Sequence, residues 1–360
     1  MTTLAQAHDA LLLDLDGTVY LGGQPIDHVA PALARAAVLG ARSVFVTNNA
    51  SRPPAEVAAA LTSMGVAAEP DDVLTSPQAA AAMLADRHPA GAKVLVIGAP
   101  WLEESVRQVG LEPVRLAEEN PVAVVQGHSP DTGWRNLAEG CIALRAGADW
   151  VACNNDTTLP TDRGMLPGNG SMVAALVAAT GLHPRVAGKP ERPLLDAAVR
   201  QVGSSRPLVV GDRLDTDIAC AVGAGTPSLM VLTGVSTATD LLAADPDHRP
   251  TFVAFDMRGL VEEDRAVRIP GPSAARSTRE WAVTSDSSSL VLTAQEAAGS
   301  GTVSDAAALR ALALLTAAAW SSGLTAVRPH DDVAAAALTR CGIPVRPTHS
   351  GQRLISESMD

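Results

Sequence analysis

Aromatic side chains are scarce in this chain of 360 residues, which has five tryptophans, three phenylalanines and one tyrosine. Apolar residues still make up 47% of the sequence, so alanine, valine and leucine must fill most of the core. The scarcity also gives little support for a ligand that stacks on an aromatic ring, such as a nucleobase or pyridoxal. Phe45 is expected in a core strand, which leaves Trp134 and Trp150 as candidate platforms.

Cysteine is equally sparse, and the four thiols lie far apart without any Cys-x-x-Cys pair: Cys141, Cys153, Cys220 and Cys341. This spacing indicates neither a zinc site nor a disulfide framework, so a reducing cytoplasm is the expected location. Long apolar runs are missing too, because charges or helix breakers interrupt every stretch before the roughly 20 residues that cross a bilayer. Residues 1–10 lack the basic region of a signal peptide. We expect a soluble protein with no membrane partner.

Positive charge is in deficit, with 27 Lys and Arg against 39 Asp and Glu and a net charge of -12. A negative surface repels polyanions at long range, so nucleic acid is not an expected partner. The chain is also too long for one ordinary core, since single domains usually run to roughly 100 to 200 residues. Two or three domains are expected.

Short apolar runs alternate with alanine-rich helical stretches from residue 10 to about residue 260, a pattern typical of βαβ units and a parallel sheet. Four runs read as buried parallel strands: Ala10–Leu13, 43–46, 207–210 and 228–232. Polar residues follow each run. Because ligands of open α/β sheets bind beyond the carboxyl ends of the strands, these polar residues are expected to form one site.

The predicted fold class is α/β, with a Rossmann-like parallel-sheet core, an inserted α/β domain and a small C-terminal α/β unit. Further strands near 94–97, 122–125 and 150–152 alternate with helices at 134–146 and 171–179, and we assign them to the insertion. The predicted segments are a first core part, an inserted cap, a second core part, a linker rich in Pro, Gly and Ser, and a C-terminal unit: 1–76, 77–182, 183–262, 263–289 and 290–360.

Asp14 and Asp16 stand directly after the first apolar run, and the period of two along an extended chain places both carboxylates on the same side. Two such close acids repel each other unless a proton or a cation lies between them. A hard divalent ion such as Mg²⁺ would resolve the repulsion. Alternatively, the Asp and Gly residues of this segment only satisfy backbone groups in a turn.

Three further motifs follow in order: Thr47-Asn48-Asn49 after the second strand, Gly188-Lys189-Pro190, and the segment 211–217, Gly-Asp-Arg-Leu-Asp-Thr-Asp. With Asp14-Leu-Asp16-Gly-Thr, this set resembles the haloacid dehalogenase superfamily. Within it, the chain is most similar to the NagD-like branch of phosphoglycolate, glycerol-phosphate and pyridoxal phosphatases. The resemblance covers residues 14 to about 234.

The resemblance implies a Mg²⁺-dependent phosphatase with a phospho-aspartate intermediate. Asp14 would be the nucleophile and Asp16 the general acid and base. Lys189 and the Thr47 hydroxyl would contact the phosphoryl oxygens. The implied metal ligands are Asp14, the backbone carbonyl of Asp16, and Asp212. Asp217 would hold metal-bound water.

An insertion of this size resembles the cap of that branch, which closes over the phosphate and favours small phosphate esters as substrates. Asn154, Asp156 and Asn169 resemble cap residues that face the active site, and together with Thr47, Asn48 and Lys189 they form the predicted substrate-binding set. Glycerol 3-phosphate and 2-phosphoglycolate are the favoured substrates. Pyridoxal phosphate, nucleotide or sugar phosphatases, a phosphotransferase and a catalytically silent sugar-phosphate sensor remain alternatives.

Residues 324–343 weakly resemble the last strand and helix of GCN5-related acetyltransferases. Leu338 occupies the place of that family's frequent tyrosine acid, and it has no proton to donate. The glycines of 295–301 are also spaced wrongly for a pyrophosphate loop. A role in packing, dimerisation or regulation is therefore preferred over a second, acetyltransferase activity, and a homo-oligomer is left open.

Overall fold

The computed structural model describes residues 2–161, 163–271, 276–296 and 302–345. The chain divides into two compact units. One comprises Met1–Ser236 and Ala244–Arg268, and the other comprises Thr237–Ala243 and Ile269–Asp360. Among the described residues, every helix is too short or too polar to cross a membrane.

The first unit opens with the strands β1 (Ala10–Leu13), β2 (Tyr20–Leu21), β3 (Gln24–Pro25), β4 (Arg42–Thr47) and β5 (Val73–Thr75) and the helices α1 (Leu4–Ala7), α2 (Val29–Val38), α3 (Pro54–Ser63) and α4 (Ser76–Ala85). The cap follows, with β6 (Lys93–Ile97), β7 (Glu112–Val114), β8 (Ala123–Gln126), β9 (Asp149–Ala152), β10 (Thr158–Thr161), β11 (Gly164–Pro167) and β12 (Arg185–Val186), and with α5 (Pro100–Gln108), α6 (Trp134–Arg145) and α7 (Asn169–Thr180). The second core part contains β13 (Pro207–Gly211), β14 (Ser228–Val231), β15 (Phe252–Ala254) and β16 (Ala266–Arg268), with α8 (Pro193–Val202) and α9 (Ala219–Ala224).

The core sheet has seven strands in the order β16-β15-β14-β13-β1-β4-β5, and all neighbours are parallel except β16, which runs antiparallel to β15. The cap sheet has five parallel strands in the order β12-β9-β8-β6-β7. This architecture confirms the predicted α/β fold class. The strand β1 lies between β13 and β4, so the residues that follow these three strands meet at one sheet edge.

Both faces of the core sheet are covered, which explains why its strands are continuous apolar runs. Leu11, Leu13 and Phe45 belong to one buried cluster, while Leu12 and Val44 belong to a cluster on the opposite face. The second cluster continues into apolar residues of β6, β8 and β9. This shared packing joins the cap to the core within the unit.

Two short strands lie across the predicted segment boundaries. The strand Arg185–Val186 pairs with β9, so the cap sheet extends beyond the predicted end at residue 182. The predicted linker 263–289 contains β16, which completes the core sheet. Strands of two or three residues are too short to show a periodic pattern, which is why both escaped sequence reasoning. Trp150 is buried in the cap interior, which removes one of the two candidate aromatic platforms.

The second unit contains α10 (Ala238–Leu242), β17 (Trp281–Ser285), β18 (Leu290–Ala294), α11 (Asp305–Ser322), β19 (Val327–Pro329) and α12 (Asp332–Arg340). Its three strands form a sheet in the order β17-β18-β19. The predicted linker also overlaps β17, whose buried Trp281 donates its indole N–H to the Ala307 carbonyl at 2.9 Å. Leu338 is buried in α12. Most of the glycine stretch 295–301 lies outside the described residues.

Candidate functional site

Asp14, Thr47 and Asp212 lie at the same edge of the core sheet, because each stands at or directly after the carboxyl end of a strand. The register places Leu13 opposite both Val210 and Phe45. The Asp14 N–H continues this ladder by donating to the Val210 carbonyl at 2.9 Å. The predicted convergence of the strand ends is therefore present in the structure.

Lys189 is the central cation of the site. Its ammonium group donates to Asp14, to Asp217 at 2.6 Å and to the Val46 carbonyl at 3.2 Å. Three acceptors match the three N–H bonds of an ammonium group. Only 4% of the lysine is exposed, so these contacts hold the charge in place and away from solvent.

The two acids beside Lys189 titrate under opposing influences. Burial raises the pKa of Asp14, while the lysine opposes this shift. Burial raises the pKa of Asp217 to about 6, Asp14 adds to this effect, and Lys189 again opposes it. For the lysine itself, burial lowers the pKa, but the attraction of Asp14 and Asp217 outweighs burial and raises it. Lys189 therefore stays charged and favours the ionised carboxylates.

Asp14, Asp212 and Asp217 form a cluster in which one carboxylate oxygen of each lies within 4.8 Å of the other two. Asp217 lies in the helical turn Leu214–Ile218, and the N–H of the preceding residue Arg213 donates to its carboxylate at 3.2 Å. One lysine neutralises only one of the three negative charges. An all-oxygen, negatively charged set of this kind fits Mg²⁺, which binds carboxylates in preference to nitrogen or sulfur.

Asp212 is held by groups that the sequence reasoning did not identify. The Val235 N–H donates to one carboxylate oxygen at 2.7 Å, and the Thr18 hydroxyl donates to the other at 3.1 Å. Gly17 and Gly234 face this carboxyl so closely that a Cβ at either position would overlap it. One sequence feature could have indicated Gly234: it closely follows the carboxyl end of β14, where ligand-binding residues of a parallel sheet are expected.

Asp16 lies at the exposed rim, and neighbouring protein atoms partly desolvate its carboxyl group. This desolvation raises the pKa of Asp16, while a hydrogen bond from the Gly22 backbone opposes the shift. A raised pKa keeps the proton on the carboxyl group to higher pH, as a general acid requires. Thr47 is buried, and its hydroxyl oxygen accepts the Asn49 N–H at 3.1 Å, so the hydroxyl proton is still available to donate.

Asn48 links the lysine to the cap. Its side-chain oxygen accepts the backbone N–H of Lys189 at 2.8 Å, and its side-chain amide donates to the backbone carbonyl of Lys189 at 2.9 Å. The Asn48 carbonyl accepts the side-chain amide of Asn154 at 2.7 Å. Asn169 contacts Asn154 in turn, and its side-chain amide donates to the Asn154 carbonyl at 2.7 Å. The structure thus uses the amides of Asn48, Asn154 and Asn169 to position other groups, and their contact with substrate stays a prediction.

Asp156 is brought to the core by the same cap loop. The Asn48 amide approaches its carboxylate at 3.4 Å. Burial raises the pKa of Asp156, while Asn48, Arg213 and Lys189 oppose the shift. The carboxylate is therefore within electrostatic reach of Lys189.

Two family models match separate segments of the chain. A model described as haloacid dehalogenase-like hydrolase covers residues 11–112, and one described as HAD-hydrolase-like covers residues 186–260. D-glycerol 3-phosphate phosphatase of Mycobacterium tuberculosis is 53% identical over 269 residues, which are 75% of each chain. The chain belongs to the haloacid dehalogenase-like hydrolases.

Two further comparisons extend this result. A 5'-nucleotidase of Bacillus subtilis is 36% identical over 233 residues, which are 64% of this chain and 90% of the relative. The crystal structure of a glycerol phosphate phosphatase from Mycobacterium tuberculosis in complex with magnesium superposes with a TM-score of 0.87 at 45% identity. That match covers 96% of this chain and 100% of the other. The family prediction is confirmed, whereas the acetyltransferase resemblance finds no support in these comparisons.

Proposed function

We propose that this chain is a Mg²⁺-dependent phosphomonoesterase that hydrolyses a small phosphorylated metabolite, glycerol 3-phosphate or 2-phosphoglycolate, through an aspartyl-phosphate on Asp14. The observation that carries the proposal is the contact of one buried lysine with both Asp14 and Asp217, beside Asp212. Relatives named as phosphatases support the enzyme class, and the closely similar glycerol phosphate phosphatase supports a three-carbon ester.

In the first step, a carboxylate oxygen of Asp14 attacks phosphorus as the bond to the ester oxygen breaks. Asp16 gives its proton to the departing alkoxide. The ammonium group of Lys189 keeps Asp14 ionised and oriented, and the Thr47 hydroxyl donates to a phosphoryl oxygen. A Mg²⁺ ion held by Asp14, Asp212 and the Asp16 carbonyl would neutralise charge on the phosphoryl group.

In the second step, the ionised Asp16 accepts a proton from water, and the resulting hydroxide attacks phosphorus. The bond between phosphorus and the Asp14 oxygen breaks, so inorganic phosphate leaves and the carboxylate is restored. Asp16 is then protonated again and ready for another turnover. Water as the acceptor distinguishes this reaction from a phosphotransferase, which would pass the phosphoryl group to a sugar hydroxyl.

The alternatives are favoured less by the arrangement of side chains. A catalytically silent sensor only binds its ligand, so it would not require a nucleophile, a general acid and a lysine at one sheet edge. A pyridoxal or nucleotide substrate would lack the Trp150 ring, which is buried in the cap. We further propose a cytoplasmic location, supported by the four unpaired cysteines. A homo-oligomer remains a prediction.

The decisive experiment is a screen of the purified chain for phosphate release from a panel of small phosphate esters, with and without EDTA. We expect two- and three-carbon esters to give the highest kcat/KM, EDTA to remove the activity, and added Mg²⁺ to restore it. Full activity in EDTA would contradict the metal requirement. A tenfold preference for pyridoxal phosphate or a nucleoside monophosphate would overturn the substrate assignment and leave the phospho-aspartate chemistry intact.

A further inference from the structure

We propose that Thr233 is a positioning residue of the hydrolysis reaction: its hydroxyl group holds the carbonyl of Gly17 and thereby fixes the turn that carries Asp16. This inference rests on the proposed phosphatase function and adds a residue to it. Thr233 is the polar residue that follows the fourth predicted strand, 228–232, and neither step of the proposed reaction uses it.

The core sheet brings Thr233 to the site. The strand β14 lies next to β13, and the Leu232 N–H extends the sheet by donating to the Ala254 carbonyl at 3.0 Å. Thr233 therefore stands at the same sheet edge as Asp212, which follows β13. Its hydroxyl group donates to the Gly17 carbonyl at 2.6 Å, within the normal range for a hydrogen bond between two oxygens. The bond joins two segments that lie 216 residues apart in the chain.

The turn that carries Asp16 passes through Gly17. The φ angle of Gly17 is +88°, in the left-handed region that glycine adopts without steric cost. Its N–H donates to the Tyr20 carbonyl at 2.7 Å within the turn, whereas its carbonyl accepts from Thr233. Because glycine has the freest backbone of all residues, loss of the bond to Thr233 would release the peptide group between Gly17 and Thr18.

Groups that take part in the proposed reaction lie on both sides of this peptide group. Asp16 precedes Gly17, and its carboxyl group is the proposed general acid. Thr18 follows Gly17, and its hydroxyl group donates to the Asp212 carboxylate at 3.1 Å. A shift of Gly17 would therefore move the acid on one side and the support of a proposed metal ligand on the other.

The Asp16 carboxyl group depends on its own backbone for its position. It lies at the exposed rim, where the Gly22 backbone donates a hydrogen bond to it. The Asp14 carboxylate, in contrast, is held by the buried ammonium group of Lys189. A general acid must lie within hydrogen-bond reach of the leaving oxygen, so a small displacement of the turn is enough to impair it.

Two substrates separate a displaced acid from general damage to the site. The alkoxide of glycerol 3-phosphate needs a proton from Asp16 as it leaves, whereas the nitrophenolate of p-nitrophenyl phosphate leaves without one. For both esters, kcat/KM reports the steps up to phosphorylation of Asp14. A displaced acid therefore raises the ratio of kcat/KM for p-nitrophenyl phosphate to that for glycerol 3-phosphate. Damage to the nucleophile or to the metal site lowers both values together.

We would measure this ratio at saturating Mg²⁺ with the wild type and with Thr233→Val, which replaces the hydroxyl group by a methyl group of similar size. We expect Thr233→Val to raise the ratio at least about tenfold, a part of the roughly 100- to 10,000-fold that a general acid contributes. Thr233→Ser keeps the hydroxyl group and should keep the wild-type ratio.

The matched control is Thr62→Val, because the Thr62 hydroxyl group also donates to a backbone carbonyl, that of Ala68 at 3.4 Å, near the end of α3. This variant should leave the ratio unchanged. Thr233→Ala repeats the test if the valine variant does not fold. An unchanged ratio in a folded Thr233→Val or Thr233→Ala variant, or a raised ratio in Thr233→Ser, would overturn the inference and leave the proposed function standing. A wild type that hydrolyses neither ester would overturn both.

Discussion

Gly234 lies against the carboxyl group of Asp212, so closely that a Cβ added to the glycine would stand 2.8 Å from the Asp212 Cβ. The neighbouring Val235 N–H donates to the same carboxyl group at 2.7 Å. One short segment after β14 therefore both leaves room for this acid and orients it. The position of a proposed metal ligand depends on a residue that contributes no side chain.

We expect Gly234→Ala to weaken Mg²⁺ binding about 10- to 100-fold, the usual loss when support of a metal ligand is disturbed. The added methyl group must displace Asp212, and the hydrogen bond from Val235 is lost with it. Calorimetric titration with Mg²⁺ measures the effect directly. Gly133→Ala is the matched control, because that glycine has open space around it and should leave affinity unchanged. Equal affinities in both variants would contradict the argument that Gly234 determines the position of a metal ligand.

We expect Asp14→Asn to reduce phosphate release below about a hundredth of wild type, because the amide is a far weaker nucleophile than the carboxylate. The fold should persist, since Lys189 retains Asp217 as a buried partner. Turnover with the favoured ester and binding of inorganic phosphate would be measured on the same preparation. Retention of phosphate binding with loss of turnover supports the assignment, and substantial turnover contradicts it.

We expect Asp16→Asn to slow hydrolysis of glycerol 3-phosphate and to accumulate the phosphorylated enzyme with p-nitrophenyl phosphate. The nitrophenolate ion leaves without a proton, so the first step should survive, whereas activation of water for the second step is lost. A burst of one nitrophenolate per active site, followed by slow turnover, is the expected trace. A steady rate without a burst and a normal rate with glycerol 3-phosphate would exclude this role for Asp16.

An ion-pair network on the cap gives a prediction about pH and stability. Burial raises the pKa of Asp149, but Arg185 at 2.7 Å and Arg87 at 3.0 Å outweigh burial and lower the pKa below its ordinary value. A carboxyl whose pKa is lower in the folded state stabilises the fold above its unfolded value of about 4 and loses this contribution as the pH falls through the folded value.

We therefore expect Asp149→Asn to lower the free energy of unfolding by about 1 kcal/mol at pH 7, a value limited by solvent screening of the half-exposed arginines. The difference from wild type should shrink as the pH falls below about 4. Urea unfolding across this range measures it. Glu112→Gln, at an exposed position of β7, is the control. A difference that grows towards acid pH would contradict the argument.

The sequence predicts the core of this molecule well for a physical reason. Buried parallel strands are continuous apolar runs, so the run Ala10–Leu13 coincides with β1, and the polar residue after it is Asp14. The order of the motifs along the chain predicts that Lys189 and Asp212 belong to the same site as Asp14, and the structure places both beside Asp14. Strands of two or three residues, such as β12, carry too few side chains to show a pattern.

The parts that sequence reasoning missed are contacts of the backbone. The Val235 N–H that orients Asp212 would be present with almost any residue at that position. The role of Asn48 was also hidden, because its partner is the backbone of Lys189, 141 residues further along the chain. Such contacts depend on the folded path of the chain and leave no residue type to recognise.

Asn48 also supports two parts of the site at once. Its carbonyl accepts from Asn154 of the cap loop, while its side chain holds the backbone of Lys189 through two hydrogen bonds. One asparagine is therefore a shared anchor for the cap loop and for the segment that carries Lys189, so a substitution at this position would disturb both together.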